Sequence, residues 1–149
     1  AYRRVNERFR DAVVAEARSG DVLWVQDYHL MLLPSLLREA LPDARIGFFL
    51  HIPFPDYETF RMLPWRGEIV RGLLGADLIG FNAYDYVRHF LSSCRRIAGI
   101  ENASGTLMAD GRRFPSASTT SALATPRARP QCAAPQRSSR PRRATRAAR

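Results

Sequence analysis

The chain of 149 residues carries 23 arginines, no lysine and 14 acidic residues, a formal net charge of +9. The charge is lopsided: residues 1–115 hold 15 Arg against all 14 acids, a net +1, whereas 116–149 hold 8 Arg and no acid, which speaks against a folded nucleic-acid-binding domain. The length suits a single domain, no apolar run reaches the roughly 18–20 residues of a membrane span, and no signal-peptide pattern opens the chain.

From Arg4 to Arg18, the residues Val5, Phe9, Ala12 and Val13 share one face among charged neighbours. That spacing predicts an amphipathic helix, stopped by Ser19-Gly20. The opening residues from Ala1 run straight into it, so the start reads as internal to a longer chain. Val22-Leu23-Trp24-Val25 has no polar alternation and predicts a strand buried on both faces, as in parallel sheets. A strongly apolar helix follows over Leu30–Leu41, and Ile46–Leu50 predicts a second buried strand. His51-Ile52-Pro53-Phe54-Pro55 cannot be regular, because its two prolines remove two donors and push their predecessors to extended conformations. Short helices are predicted at Tyr57–Leu63 and Gly67–Leu74, a strand at Leu78–Phe81, a helix at Tyr84–Ala98 and the start of another strand over 106–114.

Helix and strand thus alternate with crossovers long enough for parallel pairing. The fold class is α/β: part of an open, doubly wound parallel sheet with flanking helices. Residues 116–149 differ in kind, with nine Ala, eight Arg, five Ser, four Thr and four Pro and no Gly or aromatic. Such a segment cannot offset an ordering cost of roughly 1–2 kcal/mol per residue and is expected to be disordered. Cys94 and Cys132 fall in these two different segments, so a disulfide between them is not expected. The lack of a cysteine framework fits a reducing compartment, and the expected location is cytoplasmic.

In open parallel sheets, ligands bind beyond the carboxyl ends of the strands. Those ends are Gln26-Asp27-Tyr28-His29, His51-Ile52-Pro53 and Asn82-Ala83-Tyr84-Asp85, polar three times in succession. The Asp27 carboxylate can accept from sugar hydroxyls, and the His51 imidazole can donate or accept. Together they suit a polyhydroxylated ligand. Asp27 equally suits an N-cap of the next helix, and His51 could be a structural histidine bonded to backbone. His29 and His89 read as structural and Asp85 as a helix cap. Trp24, Phe48, Phe49, Phe81 and Phe90 read as core. No His/Cys/carboxylate cluster has metal-ligand spacing, so neither a metal nor a cofactor is expected.

Three segments carry a resemblance: Trp24-Val25-Gln26-Asp27-Tyr28-His29-Leu30, Ile46-Gly47-Phe48-Phe49-Leu50-His51-Ile52-Pro53-Phe54-Pro55 and Gly72-Leu73-Leu74-Gly75-Ala76-Asp77-Leu78-Ile79-Gly80-Phe81. In this order and spacing, over about residues 2–110, the chain resembles the trehalose-6-phosphate synthases. These are retaining glycosyltransferases whose two Rossmann-like domains face a cleft, the GT-B fold. The resemblance implies transfer of glucose from UDP-glucose to glucose 6-phosphate, giving trehalose 6-phosphate and UDP. It places residues 1–115 in the N-terminal, acceptor-side domain. It implies that Asp27 binds glucose 6-phosphate, that His51 lines the cleft beside the transferred glucose in a catalytic role, and that Ile52 stands at a position linked to anomer selectivity.

Several family features have no counterpart. The glycine-rich phosphate loop, the aromatic and arginine acceptor residues near the family N-terminus, and the Arg and Lys of the C-terminal domain have no match here. No turnover is therefore expected of this chain alone. Asn82-Ala83 stands where many relatives carry His-Thr or Gln-Thr. After Phe114-Pro115 no Pro-x-Gly-Ile-Asp segment follows, and a wrong-frame reading of a GC-rich gene would account for the Arg-rich remainder. Two other functions remain open: non-specific nucleic-acid binding through the arginine tail, and a non-catalytic homologue that binds sugar phosphate.

Overall fold

The computed structural model describes residues 1–103, 106–109 and 112–118. In chain order the elements are α1 (Tyr2–Glu16), β1 (Val22–Gln26), α2 (Leu33–Ala40), β2 (Arg45–Leu50), α3 (Tyr57–Phe60), α4 (Arg66–Leu73), β3 (Leu78–Phe81), α5 (Tyr84–Ala98), β4 (Asn102–Ala103), β5 (Thr106–Ala109) and β6 (Arg112–Ser118). A 3-10 turn covers Tyr28–Leu30. The single helix expected over Leu30–Leu41 is therefore split, and α2 begins so that Pro34 falls in its first turn, where a missing N–H leaves no bond unmade. The strand expected from 106 is two strands, β5 and β6, paired antiparallel from Thr106–Pro115 to Ala109–Arg112. β6 runs to Ser118, three residues into the stretch that composition sets apart. Residues 119–149, on which the disorder, wrong-frame and nucleic-acid readings chiefly rest, lie outside the described residues, as does Cys132.

The sheet order is β1-β2-β3-β6-β5-β4, with β1, β2, β3 and β6 successive parallel neighbours. The order advances in one direction, and right-handed crossovers then place every connecting helix on the same face. Burial follows that geometry. Val25, Ile46, Phe48, Leu50, Ile79 and Phe81 point into the helices and are 5% exposed or less. They meet Leu37, Val70, Leu73, Val87, Phe90 and Cys94 in one cluster.

Among the described residues the connecting helices leave the opposite face uncovered, and this corrects one expectation. β1 is not buried on both faces: Val22 is 59% and Trp24 50% exposed, so Trp24 is no core residue. Its ring instead lies over Gly47 on the neighbouring strand, and Phe49 lies over Gly80 in the same manner, leaving no room for a Cβ at either glycine. Trp24 and Phe49 stack with centroids 6.5 Å apart.

The face that α1 buries also differs from expectation. Val13 packs against the core, but Val5 and Phe9 are exposed, and the buried residue is Asn6. Polar anchoring sets the rotation of this helix. Asn6 Nδ2 donates to the His29 carbonyl at 3.1 Å, and Tyr2 Oη donates to the Tyr28 carbonyl at 2.5 Å while accepting from Met31 N at 3.0 Å.

A second polar clamp fixes the amino ends of the strands. Arg38 on α2 donates to the carbonyls of Gly75, Pro42 and Ala44 and to the Asp77 carboxylate. Asp77 Oδ2 also accepts from Ile46 N at 2.9 Å, joining β2 to the start of β3. Gly75 brings this turn against the backbone of Pro34 and Ser35, where a side chain would collide.

Candidate functional site

Strand parity decides which side chains reach the carboxyl edge. Gln26, His51 and Asn82 each continue the outward register of β1, β2 and β3, in phase with Trp24, Phe49 and Gly80. They form a hydrogen-bonded row. His51 Nε2 lies 2.9 Å from Gln26 Oε1, and Asn82 Nδ2 donates to the His51 carbonyl. The Phe49 ring stands 4.8 Å from the imidazole and limits its tilt.

Asp27 leaves β1 with φ 72° and ψ 168°, the sole non-glycine with positive φ among the described residues. That region belongs almost to glycine alone and costs an L-residue roughly 1–3 kcal/mol. Two backbone hydrogen bonds and one to its own carboxylate hold it there. Asp27 N donates to Phe49 O at 2.8 Å, Leu30 N donates to Asp27 O at 3.1 Å, and Tyr28 N donates to Asp27 Oδ1 at 3.0 Å. The capping role is thus real, and it engages one carboxylate oxygen. The Tyr2 and Asn6 bonds to Tyr28, His29 and Met31 secure the turn that follows. Burial raises the Tyr2 phenol above its ordinary value, partly opposed by the bond from Met31 N.

Ile52, 42% exposed, sits in the bend after His51. That bend is held from below. Phe54 is 1% exposed and meets Phe60, Phe81 and Phe90 with ring centroids 4.8, 6.0 and 5.4 Å away. His89 Nδ1 pairs with the Phe54 carbonyl at 3.0 Å, a structural role as expected. His29 packs on Tyr28 with centroids 3.8 Å apart. Asp85 does not cap α5, whose N-cap Ala83 has no side-chain bond; its carboxylate pairs with Arg88 in the helix's first turn at 3.3 Å.

The structure therefore brings His51 together with Gln26 and Asn82, and puts Asp27 on the adjoining strand exit. Gln26 and Asn82 had no assigned role in the sequence. Counting outward parity along each strand would have selected both.

The profile of glycosyltransferase family 20 matches residues 1–140. The chain belongs to this family. Among the family's members, the alpha,alpha-trehalose-phosphate synthase [UDP-forming] 2 of Aspergillus fumigatus is 53% identical over 117 residues, 75% of this chain and 24% of that protein. The corresponding synthase A of Dictyostelium discoideum is 56% identical over 103 residues, 69% of this chain and 14% of that protein. Among solved structures, the N-terminal domain of Candida albicans trehalose-6-phosphate phosphatase superposes with a TM-score of 0.77 at 42% identity, over 78% of this chain and 25% of that one. A Burkholderia xenovorans synthase in complex with glucose-6-phosphate gives 0.73 at 38%, over 78% and 26%. The chain thus spans about a quarter or less of these family 20 proteins, and it matches the N-terminal part of the synthases. Its fold is that part of a GT-B glycosyltransferase. No helix among the described residues is long and apolar enough to cross a membrane.

Proposed function

We propose that the chain is an acceptor-side part of a UDP-forming alpha,alpha-trehalose-phosphate synthase, which joins glucose from UDP-glucose to glucose 6-phosphate. The observation that carries this reading is Asp27. A carboxylate is kept in a costly backbone conformation at the carboxyl edge of a parallel sheet, one strand away from His51. Strain of this kind persists where function needs the geometry. Asp27 accepts hydroxyls of glucose 6-phosphate, His51 contacts the glucose in transfer, and Ile52 shapes the approach that sets the anomer.

Retaining transfer develops positive charge at the anomeric carbon and negative charge on the departing diphosphate. The neutral and anionic acceptors of this edge suit the first. Cationic partners for the second belong to the remainder of a full-length enzyme, so the isolated chain binds without turnover. The half-domain extends through β6. A reducing cytoplasm fits a free, buried Cys94 thiol.

The test has two arms on the 149-residue chain. With both substrates present, UDP release stays at the buffer rate; sustained release by the chain alone overturns the division of labour. Titration with glucose 6-phosphate gives binding that Asp27→Ala abolishes, and equal binding by wild type and variant refutes the site.

A further inference from the structure

Gln26 and His51 are joined by a contact that restricts the chemistry of the imidazole. Gln26 Oε1 carries only lone pairs, so a ring nitrogen 2.9 Å away must be the one bearing hydrogen. A neutral imidazole has a single N–H. Asn82 fixes the other end of the same residue by donating to its carbonyl, and the Phe49 ring, paired in register with Gln26, lies against the imidazole. Side chain, backbone and ring face of His51 are therefore each held by a different strand or strand exit.

We infer that Gln26 is a positioning residue for His51: its carboxamide oxygen selects the Nε2–H tautomer and leaves Nδ1 as a bare acceptor for a ligand hydroxyl. The assignment of a sugar hydroxyl rests on the reading of this edge as a sugar site. It carries a specificity consequence. A nitrogen lone pair accepts from an O–H and repels an anionic phosphate oxygen, so a neutral imidazole at this place takes a hydroxyl of the transferred glucose and not a phosphate.

Nitrogen-15 spectra of the imidazoles in the full chain, recorded in alkaline buffer, read the tautomer directly. The expected result is a predominant Nε2–H form at His51. Gln26→Leu, similar in size and without the acceptor, shifts the tautomer ratio by about three- to tenfold, the worth of one hydrogen bond. Gln26→Glu, which keeps an acceptor, preserves the wild-type ratio. A predominant Nδ1–H form in wild type, or a ratio unmoved by Gln26→Leu, overturns the proposal. Should the leucine variant fail to fold, Gln26→Met, which also lacks the acceptor, takes its place in the comparison. UDP-glucose, whose glucose is the one assigned to His51, is then added to the wild type together with glucose 6-phosphate. An Nε2–H signature that both leave untouched sinks the sugar-site reading while the positioning role stands.

Discussion

At Asp27 the sugar-phosphate role proposed above and stability pull in opposite directions. Its carboxylate contributes a cap worth about 1 kcal/mol, and its backbone strain opposes that by a similar or larger amount. Asp27→Gly relieves the strain and loses the cap, so the chain should be as stable as wild type or more so by about 1 kcal/mol, with glucose 6-phosphate binding lost. Asp27→Ala keeps the strain and loses the cap, and should be less stable by about 1 kcal/mol. Denaturant melts beside ligand titrations check both. Cys94 offers a second test at this scale. Burial pushes its thiol up to about 12 from 9.0, so the folded state holds the proton more tightly than the unfolded one. Its contribution is complete below pH 9 and is lost as the pH rises towards about 12. Unfolding free energies measured from pH 8 to 11 should fall for wild type by up to about 1.4 kcal/mol per unit above pH 9, and less steeply for Cys94→Ala. The raised Tyr2 phenol adds a smaller loss of the same sign above pH 10 that survives the substitution. Asp27 was legible in the sequence as an acidic residue after a strand; its left-handed backbone was not, because no glycine announced it.

Among the elements, the loop after β2 owes its shape to one plug. Phe54 sits among three other aromatic rings and its carbonyl is tied to His89. Phe54→Ala should cost about 3–5 kcal/mol and release the segment that carries His51 and Ile52. Urea denaturation gives the first quantity, and the line width of the His51 resonances gives the second. The strands β1, β2 and β3 and the helix α5 could be read from apolar runs and from the punctuation of Gly99, because these elements form where local signal and burial agree. The rotation of α1 could not. Its apolar spacing pointed to Val5 and Phe9, while the hydrogen bonds of Tyr2 and Asn6 to the 28–31 turn determined the buried side. A polar residue making long-range bonds leaves no periodic trace in a sequence.

Over the described residues, helices cover one face of the sheet and leave the other open. Val22, Trp24 and Leu78 lie open on it, and contiguous apolar patches of this kind attract partners or copies. Trp24→Thr should lower the binding of a hydrophobic dye and the tendency to self-associate in light scattering, with little loss of stability because half of that side chain already meets water. A buffered interior position would lose several kcal/mol on the same change. The open face follows from strand order and crossover handedness, neither of which apolar runs encode. A run such as Val22–Val25 reads as fully buried whether or not a second layer covers it, and so the run alone points Trp24 into the core.

The placement of that indole has an optical consequence. The chain has two tryptophans, and both stand in water, Trp24 at 50% and Trp65 at 64% exposure. Unfolding will therefore shift their emission only slightly to the red, and a melt followed by that signal would make a well-folded chain look unstructured. Covering the sheet would do the reverse: the emission of Trp24 moves to the blue while Trp65 stays put. With Trp65→Phe the remaining indole reports on that face alone.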